Sequence, residues 1–99
     1  MRLEIVEPAL DEVAGAIDHY SAIGPQLGAD FSVEFLRSLA LIETQPQAWA
    51  RAGQRSKGAR WRHMDRFPYS VIYRIESDCI RVLAVMHQRQ RPGYWHGRR

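Results

Sequence analysis

The sequence predicts an α+β domain of order β-α-α-β-β-β, with a helical hairpin packed on one face of a small, mainly antiparallel sheet. Three observations carry that prediction. Apolar residues recur at spacings of three and four between Pro8 and Thr44. From Arg60 onward the period falls to two, in three runs broken at Phe67-Pro68 and Ser77-Asp78. Gly24-Pro25 and Pro46 punctuate the helical half. At 99 residues, 45% of them hydrophobic and 25% charged, residues 1–99 make one globular domain. A chain this short buries a modest core and has a narrow stability margin.

Met1 to Val6 alternates, with Leu3 and Ile5 on one parity and Arg2, Glu4 and Val6 on the other, as a strand does. Glu7-Pro8 opens the first helix. Proline suits a first turn, where its missing N–H costs nothing, and Asp11 and Glu12 suit the positive end of the helix dipole. Leu10, Val13, Ala14, Ile17 and Tyr20 form its apolar face. A second helix runs from Leu27 to about Thr44. Phe31, Phe35, Leu39 and Ile42 form its stripe, widened by Leu36 and Ala40. Aromatic residues at helical spacing face a core rather than a ligand. Residues 45–58 form a loop carrying Arg51, Arg55 and Lys57, with Trp49 to pack it down.

The strands follow. Arg60, Arg62, Met64 and Arg66 share one parity; Trp61, His63 and Asp65 share the other. Phe67-Pro68 breaks that run, because proline cannot donate to a ladder. Tyr69, Val71, Tyr73 and Ile75 then face one way, and Ser70, Ile72, Arg74 and Glu76 the other. Ile80 to His87 is apolar on both parities in its middle, which places it centrally in the sheet.

Net charge is only +3 but divides unevenly. Residues 1–50 hold two arginines against eight acids; residues 51–99 hold eleven arginines and one lysine against three acids. The second half predicts an electropositive surface for phosphate, nucleic acid or an acidic protein. Arginine offers a planar fork of donors where lysine is a point charge. No apolar run approaches the ~18 residues of a membrane span. The opening MRLEIVEPAL has acids where a signal peptide has an apolar core, so the cytoplasm is the expected compartment. The single Cys79 and the dispersed His19, His63, His87 and His96 give no metal cluster, and no phosphate loop or hydrolase motif is present. No cofactor is expected.

The run His87 to Trp95 packs cations beside aromatics. Arginine can hold phosphate while rings stack on bases. Metal-free RNA cleavage would need a base, a cation for the developing charge and an acid. Arg60, Arg62, Arg66 and Arg89 could supply charge, and His87 or Tyr94 could move protons. The alternative is that Tyr94 and Trp95 only pin the tail to the sheet.

Arg66-Phe67-Pro68-Tyr69 with Ile72-Tyr73, Ile80–Val85 followed by His87 and Arg89, and Arg91-Pro92-Gly93-Tyr94-Trp95 together resemble the RelE/ParE superfamily of toxins from type II toxin–antitoxin systems. The likeness spans nearly the whole chain. Gln90 stands where many relatives carry a second arginine. The resemblance implies a toxin neutralised by a cognate antitoxin, whose C-terminal segment wraps it as a helix and an extended strand. Tyr69, Val71, Tyr73 and Arg74 are the expected antitoxin contacts. Arg60, Arg62, Arg66, Arg89, Arg91, Tyr94 and Trp95 are the expected target contacts. RelE-like members cleave mRNA on the ribosome; ParE-like members lack that catalytic set and poison DNA gyrase. RelE-type sites lean on lysines, and Lys57 is the only one here, so the ParE-like reading is preferred. Under the ribonuclease alternative Arg60, Arg66, His87, Arg89 and Tyr94 would carry the chemistry. A third reading is a non-toxic member that only binds an antitoxin.

Overall fold

The computed structural model describes residues 1–53 and 57–99; the predicted loop cation Arg55 lies outside them. Six elements run in the expected order: β1 (Arg2–Ile5), α1 (Glu7–Ile23), α2 (Pro25–Thr44), β2 (Arg60–His63), β3 (Tyr69–Ile75) and β4 (Cys79–His87). They form a four-stranded sheet in the order β1-β4-β3-β2. β1 pairs parallel with β4, from Arg2 opposite Cys79 to Ile5 opposite Val82, and the other pairings are antiparallel. The doubly apolar strand therefore lies between two neighbours, as its composition requires.

The helices start and stop where the chain's prolines and glycine dictate. Pro8 and Pro25 each sit in a first turn. Gly24 is an extended hinge whose N–H closes α1 on Tyr20 O at 2.9 Å and whose carbonyl opens α2 by accepting from Leu27 N at 2.9 Å. Pro25 thus begins the second helix, two residues before the predicted start. Gly28 matters for packing: a Cβ there would overlap Ser21 Oγ and lie 3.1 Å from the Ile17 carbonyl, so α1 and α2 approach closely only because it is glycine.

The phase of the apolar faces differs from the sequence reading. Ala9, Val13 and Ala16 are the buried positions of α1, with Ile17 and Tyr20 partly buried, whereas Leu10 and Ala14 face outward. On α2, Phe31, Phe35, Leu39 and Ile42 are buried as expected, but Leu36 and Ala40 are exposed. Both helices carry more apolar residues than one face holds, and packing on the sheet covers the narrower stripe.

Between helices and sheet an aromatic cluster forms. Phe31 stacks on Tyr20 with ring centroids 5.6 Å apart and meets Phe67 and Tyr69 edge-on at 5.2 and 5.1 Å. Phe67 is buried in the β2–β3 connection, so the Phe-Pro break serves the core as well as the turn. That connection is fixed from above by Glu34, a buried carboxylate on α2 that accepts the Asp65 N–H at 3.1 Å.

Two details shape the edges. Leu83 is an extra residue in β4: Ile72 pairs with Ala84 but Tyr73 with Val82, which makes a bulge. On the far side, loop residues extend the sheet beyond β2, with Trp61 N donating to Ala50 O at 3.1 Å and Ala52 N to Ala59 O at 2.8 Å. β1 is the outer strand on the other side, bonded only to β4.

Candidate functional site

The C-terminal tail begins as β4 ends. Gln90 closes a turn on His87, its N–H donating to the His87 carbonyl and its Oε1 accepting the His87 N–H, both at 2.9 Å. His87 Nδ1 accepts the Arg89 N–H at 3.0 Å. Gly93 adopts φ +96°, a left-handed conformation that glycine enters without strain, and a Cβ there would press on the His96 ring at 3.3 Å. The chain then turns inward and Trp95 becomes a core residue, 1% exposed.

What holds this tail is Glu12. β1 stops at Ile5, so the β4 edge beyond Val82 has no strand beside it. Side chains take over its backbone groups. Glu12 Oε1 accepts the Val85 N–H at 3.0 Å, and Arg98 Nη1 donates to the Leu83 carbonyl at 3.0 Å. Arg98 also grips Glu12 through both terminal nitrogens, at 2.7 and 3.3 Å. Tyr94 donates its hydroxyl to Glu12 Oε2 at 2.7 Å, and its ring lies under the Arg98 guanidinium, 5.0 Å from centroid to Cζ. Partial burial, then the Glu12 carboxylate, pushes the Tyr94 phenol above its ordinary value of 10.0. Its proton is committed to Glu12 at neutral pH.

The other expected site residues have separate partners. Arg60 donates to the Trp49 carbonyl at 2.7 Å and the Gln47 carbonyl at 3.3 Å, pinning the loop. Arg62 pairs with Asp65 at 3.4 Å and lies over the Trp49 ring, 4.9 Å from its centroid. Arg66 pairs with Asp30 at 3.4 Å. Arg74 pairs with Glu76 at 3.0 Å, and Glu76 also accepts from Arg81 Nε at 3.0 Å. The Arg81 and Arg74 bonds hold the Glu76 carboxyl below its ordinary range. Tyr69 is half-buried, its phenol pushed up first by burial and then by Tyr20. Arg89 and Arg91 are exposed and make no ion pair among the described residues.

Three expected contact residues turn out to be core. Val71 and Tyr73 are fully buried, and the Tyr73 hydroxyl donates inward to the Pro46 carbonyl. Trp95 is buried with them. Val71 and Tyr73 lie on a strand whose parity does not reveal what covers it, and Trp95 lies in the tail, beyond any strand. Conversely, Glu12, Glu34 and Arg98 carry geometry that the sequence reading missed. The pairing of Glu12 with Arg98 spans 86 positions, and no local pattern points to it. Arg60, Arg66, His87 and Tyr94 are not hydrogen-bonded to one another among the described residues. Their bonds run to loop carbonyls, Asp30, Arg89 and Glu12 respectively. Among those residues no group of three His, Cys, Asp or Glu side chains could hold a metal ion, and no helix is long and apolar enough to cross a membrane.

A helical hairpin over one face of a β1-β4-β3-β2 sheet is the α+β fold that the sequence predicts. The sequence profile described as "ParE toxin of type II toxin-antitoxin system, parDE" matches residues 3–92. The chain belongs to this ParE toxin family. Among solved structures it is similar to a chain of the "Chromosomal ParDE TA system from P. aeruginosa", with a TM-score of 0.77 and 20% identity over 88% of this chain and 95% of that one. At that identity the likeness concerns the fold. No curated protein matches the sequence.

Proposed function

We propose that this toxin acts by gripping a protein target, DNA gyrase, rather than by cutting RNA, and that a cognate antitoxin neutralises it. The observation that carries this reading is that the would-be acid and two of the would-be cations are engaged in structural bonds. General acid–base catalysis needs the proton donor and acceptor within hydrogen-bond reach of one reacting group. Here the Tyr94 proton is held by Glu12, and Arg60 and Arg66 are occupied in pinning the loop and α2. Arg66, Arg89 and Arg91 remain exposed, cations suited to an acidic partner.

The antitoxin has two landing places. Leu10 on α1 and Val33 and Leu36 on α2 are exposed at 49, 66 and 63%, a set of apolar side chains that a partner helix would cover. The outer side of β1 offers backbone groups to an added strand. Tyr69 and Arg74 are partly exposed and remain accessible as contacts.

The test is induction in bacteria, with supercoiling by purified gyrase measured in parallel. Gyrase poisoning with an SOS response and intact mRNA is expected. Cleaved mRNA with undisturbed supercoiling overturns the reading. Co-expression of the adjacent antitoxin frame should abolish arrest, and Leu36→Glu should weaken that rescue.

A further inference from the structure

The sheet face turned away from the helices carries an open pocket that belongs to none of the contacts above. Strand alternation builds it. Tyr69 points into the aromatic cluster, so Ser70 points away, with Met86 and His63 opposite it and Trp61 two residues along β2. These four, with Gln88 and Pro92 from the start of the tail, enclose about 390 Å³. Ser70 is wholly buried and its hydroxyl shares a hydrogen bond of 2.5 Å with His63 Nδ1, which fixes the imidazole and leaves Nε2 for a ligand. Gln88 Nε2 donates to the Tyr69 carbonyl at 3.4 Å, leaving Oε1 as an acceptor. The floor is the Met86 thioether, and the Trp61 ring sits 5.2 Å from that of His63. Pro92 also borders a second depression of about 480 Å³, lined by Arg91, Gly93, Tyr94 and His96.

An apolar, aromatic-walled slot with a hydrogen-bonding rim, joined to a cationic shelf, matches a flat heterocycle linked to an anion. We infer that this is a binding site for one unpaired nucleotide of a DNA strand. The base stacks on Trp61 above Met86, His63 Nε2 and Gln88 Oε1 meet its edge, and its phosphate rests on Arg91. Charge complementarity favours this occupant: Arg91, in the depression that shares Pro92 with the slot, forms no ion pair among the described residues. The choice of DNA over RNA rests on the proposed gyrase reading, in which the target enzyme itself handles DNA; the pocket stands without it.

The experiment is fluorescence anisotropy of labelled dT6, rU6 and hexaglutamate on the purified full chain, with circular dichroism on each variant. Trp61→Ala should weaken dT6 binding by about tenfold or more while Trp61→Phe restores most of it, as expected for base stacking. Arg91→Ala should lower the dependence of log K on log salt by about 0.7, the release expected for one phosphate contact on a single strand. His63→Ala, an exposed position, gives the same test where Trp61→Ala fails to fold. Unchanged dT6 binding by folded Trp61→Ala and His63→Ala overturns the pocket. Tight rU6 with weak dT6 overturns the DNA assignment, and hexaglutamate binding equal to dT6 reduces the site to a generic polyanion surface and overturns it too. Gyrase inhibition measured on the same variants keeps the two proposals apart: loss of dT6 binding with intact inhibition sinks neither, whereas wild-type protein that inhibits gyrase but ignores dT6 sinks only this one.

Discussion

Two carboxylates at the border of β4, Glu12 with one arginine and Glu76 with two, do unlike work. Glu76 joins Arg74 and Arg81, its neighbours across the β3–β4 turn, within five positions of itself. All three side chains are partly buried, and every bond in this set runs from one side chain to another. Glu12 joins α1 to main-chain Val85, to Tyr94 and to Arg98, up to 86 positions away, and both it and Arg98 are about four-fifths buried. The first is a local network among side chains, whose Coulomb gain is offset in part by hydration and side-chain entropy and whose loss leaves no backbone group unpaired. The second replaces a missing strand. The difference teaches that the value of a salt bridge lies in what goes unsatisfied when it is removed.

Glu12→Ala breaks that comparison most directly. It strips Val85 N–H of its acceptor and leaves Arg98 without a counter-charge, so a loss of roughly 3 kcal/mol in chemical denaturation is expected, with the tail released to hydrogen exchange. A loss no larger than that of a surface pair would make the two carboxylates equivalent. Tyr94→Phe removes one bond to Glu12 and keeps the ring under Arg98, so about 0.5–1.5 kcal/mol is expected. The raised phenol adds a pH signature. A group whose folded pKa lies above its unfolded value contributes stability fully present below the unfolded value and lost as pH rises beyond it. Alkaline melts of the wild type should therefore weaken above pH ~10, and absorbance titration should show one phenol ionising last.

Glu76→Gln is the smallest effect, within about 1 kcal/mol. Its sign on the pH axis is opposite. The folded carboxyl is depressed below 4.5, so its contribution is present above that value and fades as pH falls through the folded pKa. Acid titration of the variant and wild type should converge there.

The same contrast explains what the sequence made legible. Period-two alternation and turn residues place β3, β4 and their hairpin within a residue or two, because those signals are local. Glu76 beside Arg74 and Arg81 is readable for the same reason. Glu12 reads as a first-turn acid complementing the helix dipole, since nothing nearby announces a residue almost a chain length away. Leu10 and Leu36 mislead in a related fashion: helical spacing admits them to the core face, and only the sheet's actual position excludes them. The tail residues divide likewise. Arg89 and Arg91 precede the adjacent rings of Tyr94 and Trp95 there, but whether a ring faces solvent or core depends on the fold-back of the chain, which buries Trp95 and half-exposes Tyr94.

The parallel pairing of β1 with β4 has a consequence for synthesis. Arg2 finds its partner only at Cys79, and Glu12 finds its own only at Arg98. At ~5–20 residues per second the first strand waits several seconds, unpaired, for the last to appear. The helical hairpin can form early from local contacts, but the sheet and the tail that complete the basic surface close together at the end. The helical hairpin thereby stands without its sheet until β4 and the tail emerge, and the domain closes in one late step.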